Sequence, residues 1–115
     1  MKAIIINAPG TPDVLTLQEI SQPKITIPTQ ILVKIKAAGL NPIDTKIRQR
    51  GTFYPEQMPA ILGCDGAGIV QAVGSQVQEF KPGDEVYFCG GGLGQSQTGN
   101  YAEFTVTGKI ALIID

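Results

Sequence analysis

A single, mainly β domain is what this sequence predicts, on three observations. Its 115 residues suit one core, and a chain of that length buries roughly two thirds of its unfolded surface. The 14 glycines and 8 prolines supply many tight turns and argue against long helices. Short apolar runs, several alternating with period two, recur between those turns. Hydrophobic residues at 43% and charged residues at 17% are globular values, and no repeat or linker divides the chain.

The elements follow in order. Residues 2–7 form a short apolar run ended by Pro9, Gly10 and Pro12, and 14–20 alternate Leu15 and Leu17 with Thr16 and Gln18, so two strands flank a turn. After a Pro-rich connection, 31–36 set Ile31, Val33 and Ile35 on one face and Lys34 and Lys36 on the other, the clearest half-buried strand of the chain. A helix of about two turns then starts at Asn41 as N-cap with Pro42 in the first position. Asp44 faces its positive end, Ile43 and Ile47 share a face, and Lys46, Arg48, Arg50 and Gly51 suit its end.

Residues 52–62, with Pro55 and Pro59 and no sustained period, are expected to be irregular. They lead through the small residues of 63–68 into a strand at 69–73. Lys81-Pro82-Gly83-Asp84 has the central residues of a type II turn and precedes a strand at 85–89. A Gly- and Gln-rich loop at 90–99 comes next, then a half-buried strand at 100–106 and a last apolar strand at 110–114.

Composition excludes several functions. Nine basic residues against ten acidic ones leave a charge of -1 with no basic stripe, so nucleic acid is not an expected partner. The apolar runs fall short of a membrane span, and the first residues read as a strand instead of a secretion signal, so the expected setting is the cytoplasm, without a membrane. Cys64 and Cys89, the two cysteines, are too few for a disulfide framework and are expected to be buried thiols. The absence of histidine removes the usual acid–base group near neutral pH and the commonest metal ligand.

Phosphate cradles are missing as well. Gly63 to Gly68 reads G-x-x-G-x-G and precedes a strand, whereas a dinucleotide fingerprint reads G-x-G-x-x-G and opens a helix. The loop from Gly90 has Gln95 where the third glycine would fall, and Gly108-Lys109 follows Glu103 where a P-loop needs glycine. A catalytic zinc needs three protein ligands, and the pool is two cysteines plus carboxylates such as Asp44 and Asp65, so no bound metal is expected.

Four ordered segments carry a resemblance: A-A-G-L-N-P-I-D-T-K-I-R-Q-R-G, P-A-I-L-G-C-D-G-A-G-I-V-Q-A-V-G, F-K-P-G-D-E-V-Y and N-Y-A-E-F. Each is weak alone. In this order and spacing the chain resembles the medium-chain dehydrogenase/reductase superfamily, and specifically the GroES-like domain of its quinone oxidoreductase and zeta-crystallin branch. Zinc alcohol dehydrogenases of that superfamily carry cysteine where this chain has Asn41 and Gly-His-Glu where it has Gly63-Cys64-Asp65. They also carry a run of closely spaced cysteines that is missing here, so the resemblance implies the zinc-free branch.

The resemblance implies a GroES-like, partly open β-barrel with one or two short helices over residues 1–115, with the Rossmann cofactor domain absent from this chain. It implies NADPH or NADH held chiefly by that domain in the full-length enzyme, a quinone or enone as small-molecule substrate, and a homo-oligomer only at full length. The fragment alone is expected to be inactive.

Asn41 implies two readings: an N-cap, or by resemblance a pocket residue beside the nicotinamide whose amide donates to a carbonyl gaining charge. Asp44 matches the Asn-Pro-x-Asp pattern as a catalytic candidate, and a role in ordering the helix explains it equally. The substrate-pocket candidates are Lys46, where many relatives place tyrosine, Tyr54 as an aromatic wall, and Cys64 as a thiol near the vacated metal position. A zinc-type alcohol dehydrogenase and a noncatalytic GroES-like module are the alternatives.

Overall fold

The computed structural model describes residues 1–108 and the backbone of 112–113. Two antiparallel sheets, not closed into a barrel, carry the fold. The smaller one has the order β2-β1-β4, from β1 Lys2–Ile6, β2 Thr16–Glu19 and β4 Ala60–Ile61. The larger has the order β7-β3-β5-β6-β8, from β3 Ile31–Ala38, β5 Asp65–Val73, β6 Glu85–Cys89, β7 Phe104–Thr107 and β8 Leu112–Ile113. Among the described residues one α-helix, α1 Pro42–Arg50, joins β3 to the Pro-containing stretch, with short 3₁₀ turns at Pro12–Val14 and Pro55–Gln57. The mainly β, partly open architecture expected from sequence is thus the observed one.

Period-two burial shapes β5 and β6 in the larger sheet, while β3 and β7 each bury three residues in succession. Ile31, Val33, Val70, Val86 and Phe88 form the sheet's core, backed by Ile35, Val73, Val77 and Phe80. The long β3–β5 ladder runs from Ile31↔Val73 to Ala38↔Gly66, with irregularities at Leu32/Val33 and Ile35/Ala37. Gly68 permits the closest approach within it, since a Cβ there would lie 2.0 Å from the Lys34 carbonyl oxygen. At 81–84 the type II turn is formed: Asp84 N–H donates to Lys81 O at 3.1 Å, and Gly83 has φ +96°, a conformation that side chains resist.

A second cluster, Ile6, Ile47, Ala60 and Leu62, seats α1 on the smaller sheet. The helix begins as read, with Asn41 extended and Pro42 first, and ends at Gly51, whose N–H donates to Ile47 O. Its buried face differs from the expectation. Asp44 is buried beside Ile47, whereas Ile43 is 39% exposed.

Three strand boundaries are corrected. The strand expected at 14–20 begins with the 3₁₀ turn and pairs over Thr16–Glu19 alone, with every residue exposed and Leu17 67% so. The one expected at 69–73 starts at Asp65, because the small residues of 65–68 let the β3 backbone approach. The one expected at 100–106 starts at Phe104. Its first residues are drawn aside, since the N–H groups of Asn100 and Tyr101 both donate to Leu62 O, at 3.0 and 3.1 Å. Residues 101–103 bond instead to β1, through Ile4 N–H to Tyr101 O and Glu103 N–H to Lys2 O, and so link the two sheets. Within 110–114, Leu112 and Ile113 pair with Tyr87 and Val86; positions 110, 111 and 114 lie outside the described residues. Among the described residues, no helix is long and apolar enough to cross a membrane.

Candidate functional site

The site grows from the start of α1. Pro42 needs no N–H partner and fixes the first helical φ, while Asp44 turns back so that its Oδ2 accepts the Asn41 N–H at 2.9 Å, the carboxylate arm of a capping box. Burial of Asp44, 5% exposed, requires further donors, because a carboxylate removed from water is costly unless its oxygens are bonded. Cys64 N–H donates to Oδ1 at 3.1 Å. The Tyr101 hydroxyl lies 2.9 Å from Oδ2 and 3.0 Å from Gly39 O, so its single proton has two acceptors in reach. Asp44 thereby ties together the helix, the loop before β5 and the chain before β7.

Asn41 faces a second carboxylate. Its Nδ2 donates to Asp65 Oδ2 at 3.1 Å, and Asp65 Oδ1 accepts the Gly39 N–H at 2.8 Å. Gly39 can stand there because it lacks a side chain: a Cβ would lie 2.3 Å from Asp65 Oδ1. Burial, and next the Asp44 carboxylate at its hydroxyl, push Tyr101 above the ordinary phenol range, with smaller contributions from Asp65 and Cys64; this phenol stays protonated at neutral pH.

Of the residues singled out from sequence, the structure joins Asn41, Asp44 and Cys64 in one network. It leaves Lys46 exposed on α1. Tyr54 is half-buried and lines a different place, a cleft of about 340 Å³ shared with Gly90, Leu93, Ser96 and Thr98. Asp65, Gly39 and Ala38 line a shallow groove of about 390 Å³ with Tyr87 and Phe88. The expectation that both cysteines are buried is corrected: Cys64 is half-buried and Cys89 exposed, since Cys89 occupies an outward position of a strand that alternates exposed and buried. Among the described residues, no three His, Cys, Asp or Glu side chains are grouped as for a metal ion.

Sequence reasoning missed Tyr101 as a site residue and gave Asp65 a role only in a metal pool. The signal for Tyr101 was its place in N-Y-A-E-F directly after a Gly-rich loop. Nothing local shows that it meets Asp44, 57 positions earlier.

A β scaffold that holds an Asn-Pro-x-Asp helix start against a Gly-Cys-Asp loop defines the class: the chain belongs to the alcohol dehydrogenase GroES-like domain family, whose model matches residues 27–113. Within it, the chain is 38% identical over 108 residues to a quinone oxidoreductase of Lama guanicoe, covering 92% of this chain and 31% of the relative. To an NADPH-dependent alkenal/one oxidoreductase, chloroplastic, of Arabidopsis thaliana it is 42% identical over 91% of its length and 28% of the relative. The crystal structure of Escherichia coli quinone oxidoreductase complexed with NADPH superposes with a TM-score of 0.82 at 35% identity, over 97% of this chain and 33% of that one. The chain therefore spans about a third of the length of these relatives.

Proposed function

We propose that residues 1–115 form the acceptor-side domain of a zinc-free, NAD(P)H-dependent oxidoreductase that reduces quinones or activated alkenes, working in the aqueous phase with a Rossmann domain beside it. The observation that carries this reading is the held amide of Asn41. One Nδ2 hydrogen is fixed on Asp65, and an amide nitrogen carries two. The orientation so imposed aims the second hydrogen, which can meet a carbonyl oxygen as charge develops on it. Asp44 acts as a positioning residue through the Asn41 N–H and the Cys64 N–H.

The residues fit the neighbourhood of a nicotinamide ring better than the rest of its nucleotide. At the start of α1 the Asp44 carboxylate already occupies the positive end, where a phosphate would otherwise bind, and Gly66 and Gly68 lie inside a strand. When bound, the reduced nicotinamide supplies the hydride; Asn41 would stand at its reactive face, and the proton would come from water. A zinc ion suits the donors poorly, because both Asp44 oxygens are engaged by N–H and O–H groups and Asn41 offers only a neutral amide.

The test is a chimera in which this chain replaces the corresponding domain of the Escherichia coli enzyme. NADPH oxidation dependent on a quinone or an enone is expected, with Asn41→Ala lowering kcat about a hundredfold, and the isolated chain is expected to leave NADPH fluorescence unchanged on titration. A folded chimera that binds NADPH but reduces neither acceptor would sink the proposal.

A further inference from the structure

Two thiols at the rim of this site have no part in the hydride-transfer reading. The Sγ atoms of Cys64 and Cys89 lie 3.5 Å apart. The β5–β6 ladder ends at the Asp65↔Cys89 pair, and the Gly90 N–H donates to Cys64 O at 2.9 Å, so the backbone holds both cysteines across the ladder's last step. A disulfide spans about 2.05 Å, and bond formation therefore asks the sulfurs to close by about 1.5 Å, a distance within the reach of side-chain rotation and small backbone adjustment. One thiol is exposed and the other half-buried, the arrangement expected of an attacking and a resolving cysteine.

We propose that Cys64 and Cys89 form a reversible intrachain disulfide, and that they are a two-electron modification site for hydroperoxides. The Cys89 thiolate attacks one peroxide oxygen, the O–O bond breaks, and the alkoxide or hydroxide leaves as alcohol or water, with Cys89 now a sulfenic acid. The Cys64 sulfur then attacks the Cys89 sulfur. The S–S bond forms, the S–O bond breaks, and hydroxide takes up the Cys64 proton and departs as water. In total, two thiols give up two protons and two electrons, and the peroxide is reduced to an alcohol and water. Burial and the neighbouring Cys89 sulfur raise the Cys64 thiol above its usual range, which suits a second, resolving step at close quarters more than a first attack from solvent. Because the Cys64 N–H is held by Asp44 and the next residue, Asp65, holds Asn41, the bridge would fasten the loop that orients the site amide.

The experiment treats the reduced chain with a few equivalents of hydrogen peroxide, then counts thiols and weighs the intact protein. Both thiols are expected to disappear together, with loss of two hydrogens from the monomer mass, a cross-linked peptide joining Cys64 to Cys89, and full recovery by dithiothreitol. In Cys64→Ser, Cys89 is expected to collect oxygen adducts or to link two chains, and in Cys89→Ser, oxidation of Cys64 is expected to slow at least severalfold. Oxygen adducts without the two-hydrogen loss, dimers in place of the internal bridge, or two thiols that stay free in the wild-type chain would overturn the proposal. The outcome is independent of whether the domain serves quinone reduction.

Discussion

The core of the larger sheet is buried, and the network at the start of α1 is half-buried around a buried Asp44, and different physics holds the two. Around Val33, Val70, Val86 and Phe88 the contacts are apolar, non-directional and roughly proportional to area, so a slightly smaller side chain loses a little of a large total. Around Asp44 three donors converge on two oxygens. Each bond is modest, but a donor left without its acceptor keeps its full desolvation cost. One region therefore tolerates change in steps, and the other fails at once.

The largest expected effect comes from breaking the network at its centre. Asp44→Ala leaves the Asn41 and Cys64 N–H groups without acceptors, and stability to urea is expected to fall by about 3 kcal/mol; Tyr101 retains Gly39 O within 3.0 Å. A loss below that of a single methyl in the core would erase the contrast. For the core side, Ile31→Val is expected to cost about 1 kcal/mol in the same melts, with Ile31 3% exposed at the outset.

Tyr101 sharpens the comparison by pH. Its folded pKa is raised above the ordinary value of 10.0, so the stability it confers is fully present below pH 10 and is lost as pH rises beyond that, because the unfolded chain releases the phenolic proton first. Thermal melts are expected to fall in alkali more steeply for the wild type than for Tyr101→Phe. By tyrosinate absorbance, compared with Tyr101→Phe, Tyr101 is expected to ionise above the ordinary phenol range; ionisation at or below that range would show that the phenol is not held as described. The smallest effect is expected at the periphery: Leu17→Ser, on a fully exposed strand, should change stability by less than about 0.5 kcal/mol.

Much of this was legible in the sequence because it is local. Asn41, Pro42, Asp44 and Gly51 mark the helix ends by chemistry that acts over three or four residues, and Lys81 to Asp84 specify their turn through two side-chain types. Alternation located β3 and β6; burial follows the pleat in β6, whereas β3 buries Ile31, Leu32 and Val33 in succession. The stretch 100–103 escaped such reading: its alternation is that of a strand, but the N–H groups of Asn100 and Tyr101 bond to Leu62, some 40 positions earlier, and that of Glu103 bonds to Lys2.

By itself the sequence determined a mainly β chain with one short capped helix, the family motifs, and Asn41, Asp44 and Cys64 as residues worth testing. Only the tertiary structure decided that Asp44 is a buried hub, that the Asn41 amide nitrogen donates to Asp65, that Tyr101 closes the network, and that Cys64 meets Cys89. The reason is range. Caps, turns and pleats are set by neighbours along the chain, whereas a buried carboxylate draws its donors from whichever segments the sheets bring past it.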